Sequence, residues 1–296
     1  MQSWPVRYEE PVFRPPSEAQ SLILQLTVGC SWNRCTYCGM YRMKRYRVRP
    51  LDEVLAEVRE VAPLAPDVRR VFLADGDALA APPEVLEAVL VEIRTRLPGV
   101  TRVGIYGDSR SILAWGTEGL SRLRQLGLGI VYFGAESGDE QTLREVRKGA
   151  TVARQLEACQ VVRTAGLKLS LMVLLGLAGT AGSERHARAT GLFLVAAAPT
   201  FGAALTVTPV PGTELGEAVR QGSLELPDQW GMVQELLWML EDMAGYRGQF
   251  HANHASNYLP LTLRLPRDRE PALARLRAVL AERDPTRLVP EWARGL

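Results

Sequence analysis

The chain has 296 residues, of which 47% are hydrophobic and 23% charged, with 26 Gly and 19 Pro. This composition is typical of a folded globular protein and excludes the collagen-like, intrinsically disordered and disulfide-dense classes. The formal net charge is only +2, from 35 basic and 33 acidic side chains, so a nucleic-acid partner is not expected.

The N-terminal sequence lacks the basic-then-apolar layout of a signal peptide. The longest apolar stretch, residues 191–210, is interrupted by Pro199 and Gly202. A membrane span needs about 20 uninterrupted apolar residues, so we expect no membrane partner. The sequence therefore predicts a cytoplasmic protein.

Short β-type runs alternate with longer segments of helical periodicity through most of the chain. The predicted strands are Leu22–Thr27, Arg70–Ala74, Arg102–Tyr106, Ile130–Gly134, Leu169–Leu174 and Ala203–Thr208. The predicted helices between them cover about 51–61, 84–96, 117–126, 151–165 and 184–196. This alternation indicates βαβ units in the α/β class, and it favours a barrel or partial barrel, with an open doubly wound sheet as the alternative.

The pattern changes after the sixth predicted strand. A helix is expected over 228–244, with Asp228 as its N-cap, and a last amphipathic helix over 268–283. We therefore predict a core over residues 1–215 and a helical and extended C-terminal extension over 216–296, packed on that core.

The chemically distinctive residues follow the predicted strands at their carboxyl ends. In parallel α/β folds ligands bind at this edge, because the loops there converge and helix N-termini point at the site. The segments concerned, in chain order, are 30–38, 75–77, 108–110, 136–138, Gly176 and 209–213.

Three of the four cysteines, Cys30, Cys35 and Cys38, fall within nine residues, whereas Cys159 stands alone in a predicted helix. Such dense spacing indicates metal ligation in a reducing compartment and not a disulfide framework. A structural zinc site needs four ligands and would have to recruit His251 or His254. A [4Fe–4S] cluster held by three cysteines, with one iron open to a further ligand, fits better, and Cys159 is expected in the core.

Together with these cysteines, residues of about 20–215 resemble the radical S-adenosylmethionine (radical SAM) superfamily. The resemblance rests on the cysteine loop after the first strand, Tyr37 just before the last cysteine, the acidic-glycine turn at 75–77, and Ala135-Glu136-Ser137-Gly138 after the fourth strand. The stretch 134–151 is similar to the branch that includes Elp3-type, methylthiotransferase and oxygen-independent coproporphyrinogen oxidase enzymes.

The resemblance implies a partial (β/α)6 barrel with a [4Fe–4S] cluster and S-adenosylmethionine (SAM) as cofactors. It implies reductive cleavage of SAM to a 5′-deoxyadenosyl radical that takes hydrogen from a small or medium-sized organic substrate, with flavodoxin or ferredoxin as an electron donor. Carried over by position, it implies cluster ligation by Cys30, Cys35 and Cys38, an adenine contact by Tyr37, ammonium binding by Asp75, Gly76 and Asp77, ribose binding by Glu136, and adenine-lining positions at Gly176 and Thr208. Arg110 and Lys148 are candidates for the SAM carboxylate.

The sequence departs from the commonest family pattern in two places. Four residues, Ser31 to Arg34, separate the first two cysteines where three are usual, and a Gly-Gly-Glu-type turn is replaced by Ala74-Asp75-Gly76-Asp77. An alternative interpretation is that Asp75 and Asp77 only shape the turn.

Two further segments each have two interpretations, and a third feature, His186, has one. The basic run Arg42, Lys44, Arg45, Arg47 and Arg49 is either an anion site or a solvated face. The polar segment 251–258 either contributes to a substrate pocket, with His251, His254 and Tyr258 as catalytic candidates, or is a hydrogen-bonded loop joining two helices. His186 lies in a polar helical stretch and is expected to be exposed.

The competing functional hypothesis is a non-catalytic zinc- or Fe–S-binding module. No further cysteine cluster is present, so an auxiliary Fe–S centre is not expected. The sequence does not specify the substrate.

Overall fold

The computed structural model describes residues 5–295. The strands are β1 (Leu22–Gln25), β2 (Thr27–Val28), β3 (Arg47–Val48), β4 (Arg70–Ala74), β5 (Arg102–Gly107), β6 (Leu128–Glu136), β7 (Lys168–Leu175), β8 (Phe201–Thr206), β9 (Gly248–His251) and β10 (Thr262–Leu265). The helices are α1 (Leu51–Val61), α2 (Pro83–Arg96), α3 (Ser109–Gln125), α4 (Glu140–Glu145), α5 (Val152–Thr164), α6 (Gly179–Ala197), α7 (Glu214–Arg220), α8 (Gln229–Glu241) and α9 (Arg269–Glu282). None of the helices within residues 5–295 is both long and apolar enough to cross a membrane.

The predicted α/β class is confirmed, because all six predicted strands are present, as β1, β4, β5, β6, β7 and β8. The chain divides into two compact units. The first comprises residues 5–33, 40–133 and 160–169, and the second comprises 34–39, 134–159 and 170–295.

In the first unit, parallel pairing runs in the order β1, β4, β5, β6. The strand interiors are almost continuously apolar, and four of the five residues of β4 are buried, as is usual for parallel strands covered on both faces. Helix α1 buries Val54, Val58 and Val61, which share one helical face because they are spaced four and three residues apart. Helix α3 begins at Ser109, earlier than predicted, because Asp108 caps it, and it is kinked at Gly116 (φ 59°).

In the second unit, β7, β8 and β9 are parallel neighbours, and β10 pairs antiparallel with β9. Helix α8 packs against α6 and α9, and Asp228 caps α8 through the Gly231 amide as predicted. The short helices α4 and α7 were not predicted, since six or seven residues carry less than two full turns of periodicity.

The segment 251–258 follows β9 and precedes β10. The expectation that it joins two helices was therefore wrong. Sequence reasoning missed β9 and β10 because each has only four residues. Residues 216–295 belong to the same compact unit as residues 170–215. The boundary at residue 215 stays a prediction.

Candidate active site

In the first unit, the turn Asp75-Gly76-Asp77 directly follows β4. Asp75 is fully buried, and its Oδ2 accepts hydrogen bonds from the Gly29 amide (2.9 Å) and from Gln25 Nε2 (3.2 Å). Lys44 Nζ lies 3.2 Å from the same oxygen and also donates to two backbone carbonyls of the N-terminal segment. The contacts of Asp75 Oδ2 are therefore with other groups of the protein, and they include a buried ion pair with Lys44.

Asp77 is 1% exposed and is likewise occupied by protein groups. Its Oδ1 accepts from the Ser111 hydroxyl (2.7 Å) and the Asp108 amide (3.2 Å), and its Oδ2 accepts from the Ser31 hydroxyl. Burial, and secondarily the Asp108 carboxylate, raise the pKa of Asp77 to about 6, although the two hydroxyls oppose the shift.

The structure brings Gly76 against the first cysteine. A β-carbon on Gly76 would lie 2.8 Å from Cys30 Cβ and 2.8 Å from Cε2 of the Tyr41 ring. Glycine is needed at this position because the backbone approaches both groups closely. Cys30 itself is partly exposed.

Asn33 lies in the four-residue spacer after Cys30 and adopts a left-handed conformation (φ 45°). Its side-chain amide donates to the backbone carbonyls of Tyr41 (2.8 Å) and Lys44 (3.2 Å). Asparagine tolerates this region of φ better than most residues do.

Arg110 lies in the first turn of α3 and is held by two neighbours. Its Nε donates to Asp108 Oδ1 (2.8 Å), and its guanidinium carbon lies 4.3 Å from the centre of the Trp32 ring. Its Nη2 is buried and has no hydrogen-bond partner among the described residues. An anion that reached this nitrogen would satisfy a buried donor.

The basic run 42–49 divides into buried and exposed side chains. Lys44 pairs with Asp75, and Arg49 forms a buried ion pair with Glu57 (2.8 Å). Arg42, Arg45 and Arg47 are exposed. The solvated-face interpretation fits those three, and Lys44 and Arg49 stabilise the fold.

In the second unit, the structure brings two predicted site residues together at the end of β6. Lys148 Nζ lies 3.2 Å from Glu136 Oε1, and both side chains are largely buried. Glu136 has a positive φ of 69°, and a β-carbon on Gly134 would strike its carboxylate. This backbone geometry fixes where the carboxylate lies.

Tyr37 packs against a buried apolar cluster formed by Val146, Leu177, Val207 and Leu215. Burial raises the pKa of its hydroxyl well above the ordinary value, with Glu136 adding to the shift. The loop is fastened by the Thr36 amide, which donates to the Val146 carbonyl (3.0 Å). Cys35 and Cys38 flank this segment and are partly exposed, whereas Cys159 is fully buried.

Gly176, in the turn after β7, is held by an acidic residue that sequence reasoning missed. Its amide donates to Glu235 Oε2 (2.6 Å), and the Ser183 hydroxyl donates to Glu235 Oε1 (2.6 Å). Glu235 is fully buried on α8, and burial raises its pKa to about 7. A β-carbon on Gly176 (φ 80°) would lie 2.8 Å from Met232 Sδ, so this face of the turn is covered.

The expectation that His186 is exposed was wrong, because its side chain is fully buried on the inner face of α6. Its Nε2 lies 2.8 Å from the Leu174 carbonyl and therefore donates to it. Its Nδ1 then accepts from the Ser137 hydroxyl at 2.8 Å. Burial lowers the pKa of His186, which favours this neutral form.

The segment 251–258 fastens the carboxyl end of β8. Ser256 Oγ accepts from the Thr206 amide (3.1 Å), and the Asn257 side chain bonds both the Thr206 hydroxyl (2.9 Å) and the Ala204 carbonyl (2.8 Å). Thr208, two residues beyond β8, is partly buried.

The three catalytic candidates have different surroundings. His254 Nδ1 bonds Ser256, and the Tyr258 hydroxyl donates to Glu291 (2.7 Å) beneath the Arg294 guanidinium. Half-buried His251 lies at the end of β9. A cavity beside Tyr258, lined also by Leu175, Thr206, Met232, Val233, Leu236, Asn257 and Leu259, has a volume of only about 10 Å³. That volume holds about one water molecule and no organic substrate.

Comparison with known proteins decides the family. Residues 24–184 match the family model described as the radical SAM superfamily, which is more than half of the chain. The chain belongs to the radical SAM superfamily. This membership supports an enzyme with a [4Fe–4S] cluster and SAM as cofactors, and it does not favour a non-catalytic binding module.

One curated relative of this radical SAM protein is the 4′-phospho-dehydrooxetanocin synthase of Priestia megaterium. The two are 20% identical over 168 residues, which cover 51% of this chain and 23% of the relative. This chain therefore matches only about a quarter of the relative's length.

Solved structures of low identity share the fold. The radical SAM methyltransferase TsrM of Kitasatospora setae has a TM-score of 0.55 at 19% identity, over 68% of this chain and 39% of that one. Methylornithine synthase (PylB) has a TM-score of 0.54 at 15% identity, over 77% and 63%. The FeFe-hydrogenase maturase HydG of Carboxydothermus hydrogenoformans has a TM-score of 0.53 at 18% identity, over 86% and 56%. These likenesses support the predicted partial radical SAM barrel.

The residues present fit the two cofactors in their chemistry. Thiolates are the ligands that Fe–S clusters use, and all three loop cysteines are partly exposed. Within residues 5–295, no three or more His, Cys, Asp or Glu side chains are arranged to hold a single metal ion. A cubane cluster does not need that arrangement, because its cysteines bind different irons. The buried Nη2 of Arg110 is a donor suited to a carboxylate.

Proposed function

We propose that this radical SAM protein holds a [4Fe–4S] cluster through Cys30, Cys35 and Cys38 and acts on a small or medium-sized organic substrate. The observation that carries the proposal is the three-cysteine loop after β2, inside the matched residues 24–184. When bound, the cluster and SAM supply a 5′-deoxyadenosyl radical that removes a hydrogen atom from the substrate.

The protein's own residues bind and orient SAM in this proposal. The Glu136 carboxylate accepts hydrogen bonds from the ribose hydroxyls, and Lys148, 3.2 Å away, holds that carboxylate in place. The Tyr37 ring, fixed on its apolar cluster, offers an aromatic surface to the adenine. Gly176 and Thr208 lie at the ends of strands that contribute to the adenine site.

Two groups are proposed for the amino-acid end of SAM. Arg110 binds the carboxylate, because its Nη2 is a buried donor without a partner among the described residues. The ammonium is bound at the turn 75–77 by backbone carbonyls, since both oxygens of Asp77 already accept hydrogen bonds from Ser31, Asp108 and Ser111. Asp75 holds this turn in place through its bonds to the Gly29 amide and the Lys44 ammonium.

The segment 251–258 is the proposed contribution to the substrate side. His254 and Tyr258 are engaged with Ser256 and Glu291, so they act by shaping this segment. His251 is the catalytic candidate of the three, and burial lowers its pKa, which favours the neutral ring.

A flavodoxin or ferredoxin is the proposed electron donor, because reduction of the cluster requires one electron at a time. An Fe–S cluster with an open iron is sensitive to oxygen and needs a reducing compartment, which is consistent with the predicted cytoplasmic location.

Anaerobic reconstitution with iron and sulfide tests the proposal. We expect a [4Fe–4S] absorption, an electron paramagnetic resonance (EPR) signature of the cluster after reduction by dithionite, and 5′-deoxyadenosine after addition of SAM to the reduced protein. Cys30→Ala, Cys35→Ala and Cys38→Ala each lose the cluster, whereas the control Cys159→Ala keeps it, since Cys159 is buried in a helix. One zinc per chain with no iron or sulfide would instead establish a zinc module.

A further inference from the structure

Both chain neighbours of Cys30 are bonded to one and the same turn. The Gly29 amide, just before the cysteine, donates to Asp75 Oδ2 (2.9 Å), and the Ser31 hydroxyl, just after it, donates to Asp77 Oδ2. Between these two carboxylates, Gly76 lies so close to Cys30 that a β-carbon there would be 2.8 Å from Cys30 Cβ.

The turn is itself rigidly held. Asp75 is fixed by the buried Lys44 ammonium (3.2 Å), and Asp77 is fixed by the Ser111 hydroxyl (2.7 Å) and the Asp108 amide (3.2 Å). Asp75 and Asp77 are 0% and 1% exposed, so water does not compete for these bonds. The two carboxylates that accept hydrogen bonds from the cysteine segment are thus themselves fixed by other residues.

The cysteine segment needs such support because it has little structure of its own. Residues 29–38 form no helix or strand, and a flexible loop would lose conformational entropy when its thiolates bind a cluster. Two tethers, one on each side of Cys30, remove that freedom before any ligand binds. The cost of ordering is then met by folding and not by cofactor binding.

We propose that the Asp75-Gly76-Asp77 turn is a positioning device for Cys30, in which Asp77 and Ser31 form one arm and Asp75 and the Gly29 amide form the other. The role is distinct from binding of the SAM ammonium. It rests on the proposed function in one respect, namely that Cys30 is a cluster ligand.

Ser31→Ala is the sharpest variant, because it removes one arm without substituting a residue of the buried turn, and Ser31 is exposed. Ser31→Thr is its matched control, because it keeps the hydroxyl. A hydrogen bond to a charged group is strong enough that its loss should raise the rate of iron loss to a chelator about tenfold. The control should lose iron at the wild-type rate.

Two further readouts separate positioning from general stability. In the cluster-free protein, Ser31→Ala should speed alkylation of Cys30 by iodoacetamide and hydrogen exchange of amides 29–33, with exchange in β4 unchanged. In the loaded protein it should shift the EPR signature of the reduced cluster, while the SAM dissociation constant changes by less than about twofold because Ser31 is not an ammonium ligand.

The outcomes are distinct. If Cys30→Ala keeps a full cluster, Cys30 is not a ligand, and both the proposed function and this inference fail. If Cys30→Ala loses the cluster but Ser31→Ala matches the wild type in iron loss, alkylation and exchange, only this inference is overturned. A tenfold weaker SAM affinity with unchanged iron loss would also overturn it, in favour of a direct role at the ammonium.

Discussion

Two turns at the carboxyl ends of strands are each held by buried carboxylates. In one case the carboxylates belong to the turn itself, and in the other the carboxylate belongs to a distant helix. After β4, Asp75 and Asp77 belong to the turn and reach out to the cysteine segment. After β7, the turn at Gly176 has no acid of its own, and Glu235, 59 residues further along the chain, reaches in to bind its amide. The turn after β4 thus holds another segment in place, whereas the turn after β7 is held in place by another segment.

The two turns also differ in charge balance. Asp75 faces the Lys44 ammonium at 3.2 Å, whereas the hydrogen bonds of Glu235 come from an amide and a hydroxyl, which carry no charge. Burial accordingly raises the pKa of Glu235 to about 7. The turn after β7 therefore holds the carboxyl group with the higher pKa, about 7 for Glu235 against about 6 for Asp77.

Removal of the Glu235 side chain should have the largest effect. Glu235→Ala leaves the Gly176 amide and the Ser183 hydroxyl without their buried acceptor and opens a cavity, so unfolding should become easier by about 2–4 kcal/mol. Urea unfolding measures this change. The control is Glu241→Ala on the same helix, whose partly exposed side chain should cost less than about 1 kcal/mol. If Glu235→Ala lowered the free energy of unfolding by less than about 1 kcal/mol as well, the Glu235 carboxylate would not be needed to hold the turn.

The pH dependence of stability distinguishes Glu235 from an ordinary carboxylate. Because its folded-state pKa, about 7, lies above the ordinary value of 4.5, the folded protein holds this proton more tightly. The contribution of Glu235 to the free energy of unfolding should therefore fall as pH rises from about 4.5 to about 7, by roughly 2–3 kcal/mol.

Glu235→Gln should remove that decline, because the amide keeps an acceptor for Gly176 and a donor for Ser183 without ionising. Unfolding free energies of the two proteins at pH 5 and pH 8 give the comparison. Parallel pH profiles would mean that Glu235 is ionised throughout this range.

Alanine at the two turn glycines should separate cofactor retention from stability. Gly76→Ala forces a shift against Cys30 and the rigid Tyr41 ring, so we expect a loss of about 1–3 kcal/mol together with poor cluster retention. Gly176→Ala meets the flexible Met232 side chain, and its positive φ costs about 1 kcal/mol. Iron content should fall only in Gly76→Ala, and equal iron loss in both variants would remove the distinction between the turns.

The Glu136 carboxylate at the end of β6 gives a third case to compare with the two turns. Lys148→Met removes the ion pair with Glu136 and leaves a largely buried carboxylate without this partner. The SAM dissociation constant of the reconstituted protein should rise by about tenfold, since Glu136 is no longer held and the carboxylate loses a cationic neighbour. Unchanged SAM affinity would exclude Lys148 from the cofactor site.

Hydrophobic periodicity sufficed to predict the parallel strands, and the spacing of three cysteines marked the loop, because both are local signals in the sequence. The burial of Glu235 and His186 was not predicted, since it depends on which face of each helix points inward. Glu235 is the only acidic residue between Trp230 and Leu240, and a lone charge in an apolar helix is a signal that could have revealed it. Lys44 resembled its exposed basic neighbours, and only the fold shows that it pairs with Asp75.

The left-handed residue in the cysteine spacer explains how a longer spacing is accommodated. Gly29 and Ser31 are both tied to the turn, so the chain cannot take up an additional residue at Cys30 itself. Asn33 takes up the left-handed conformation (φ 45°), and its side-chain amide donates to the Tyr41 and Lys44 carbonyls. The additional residue of the spacer is therefore accommodated downstream of the first thiolate, where it leaves the two bonds beside Cys30 in place.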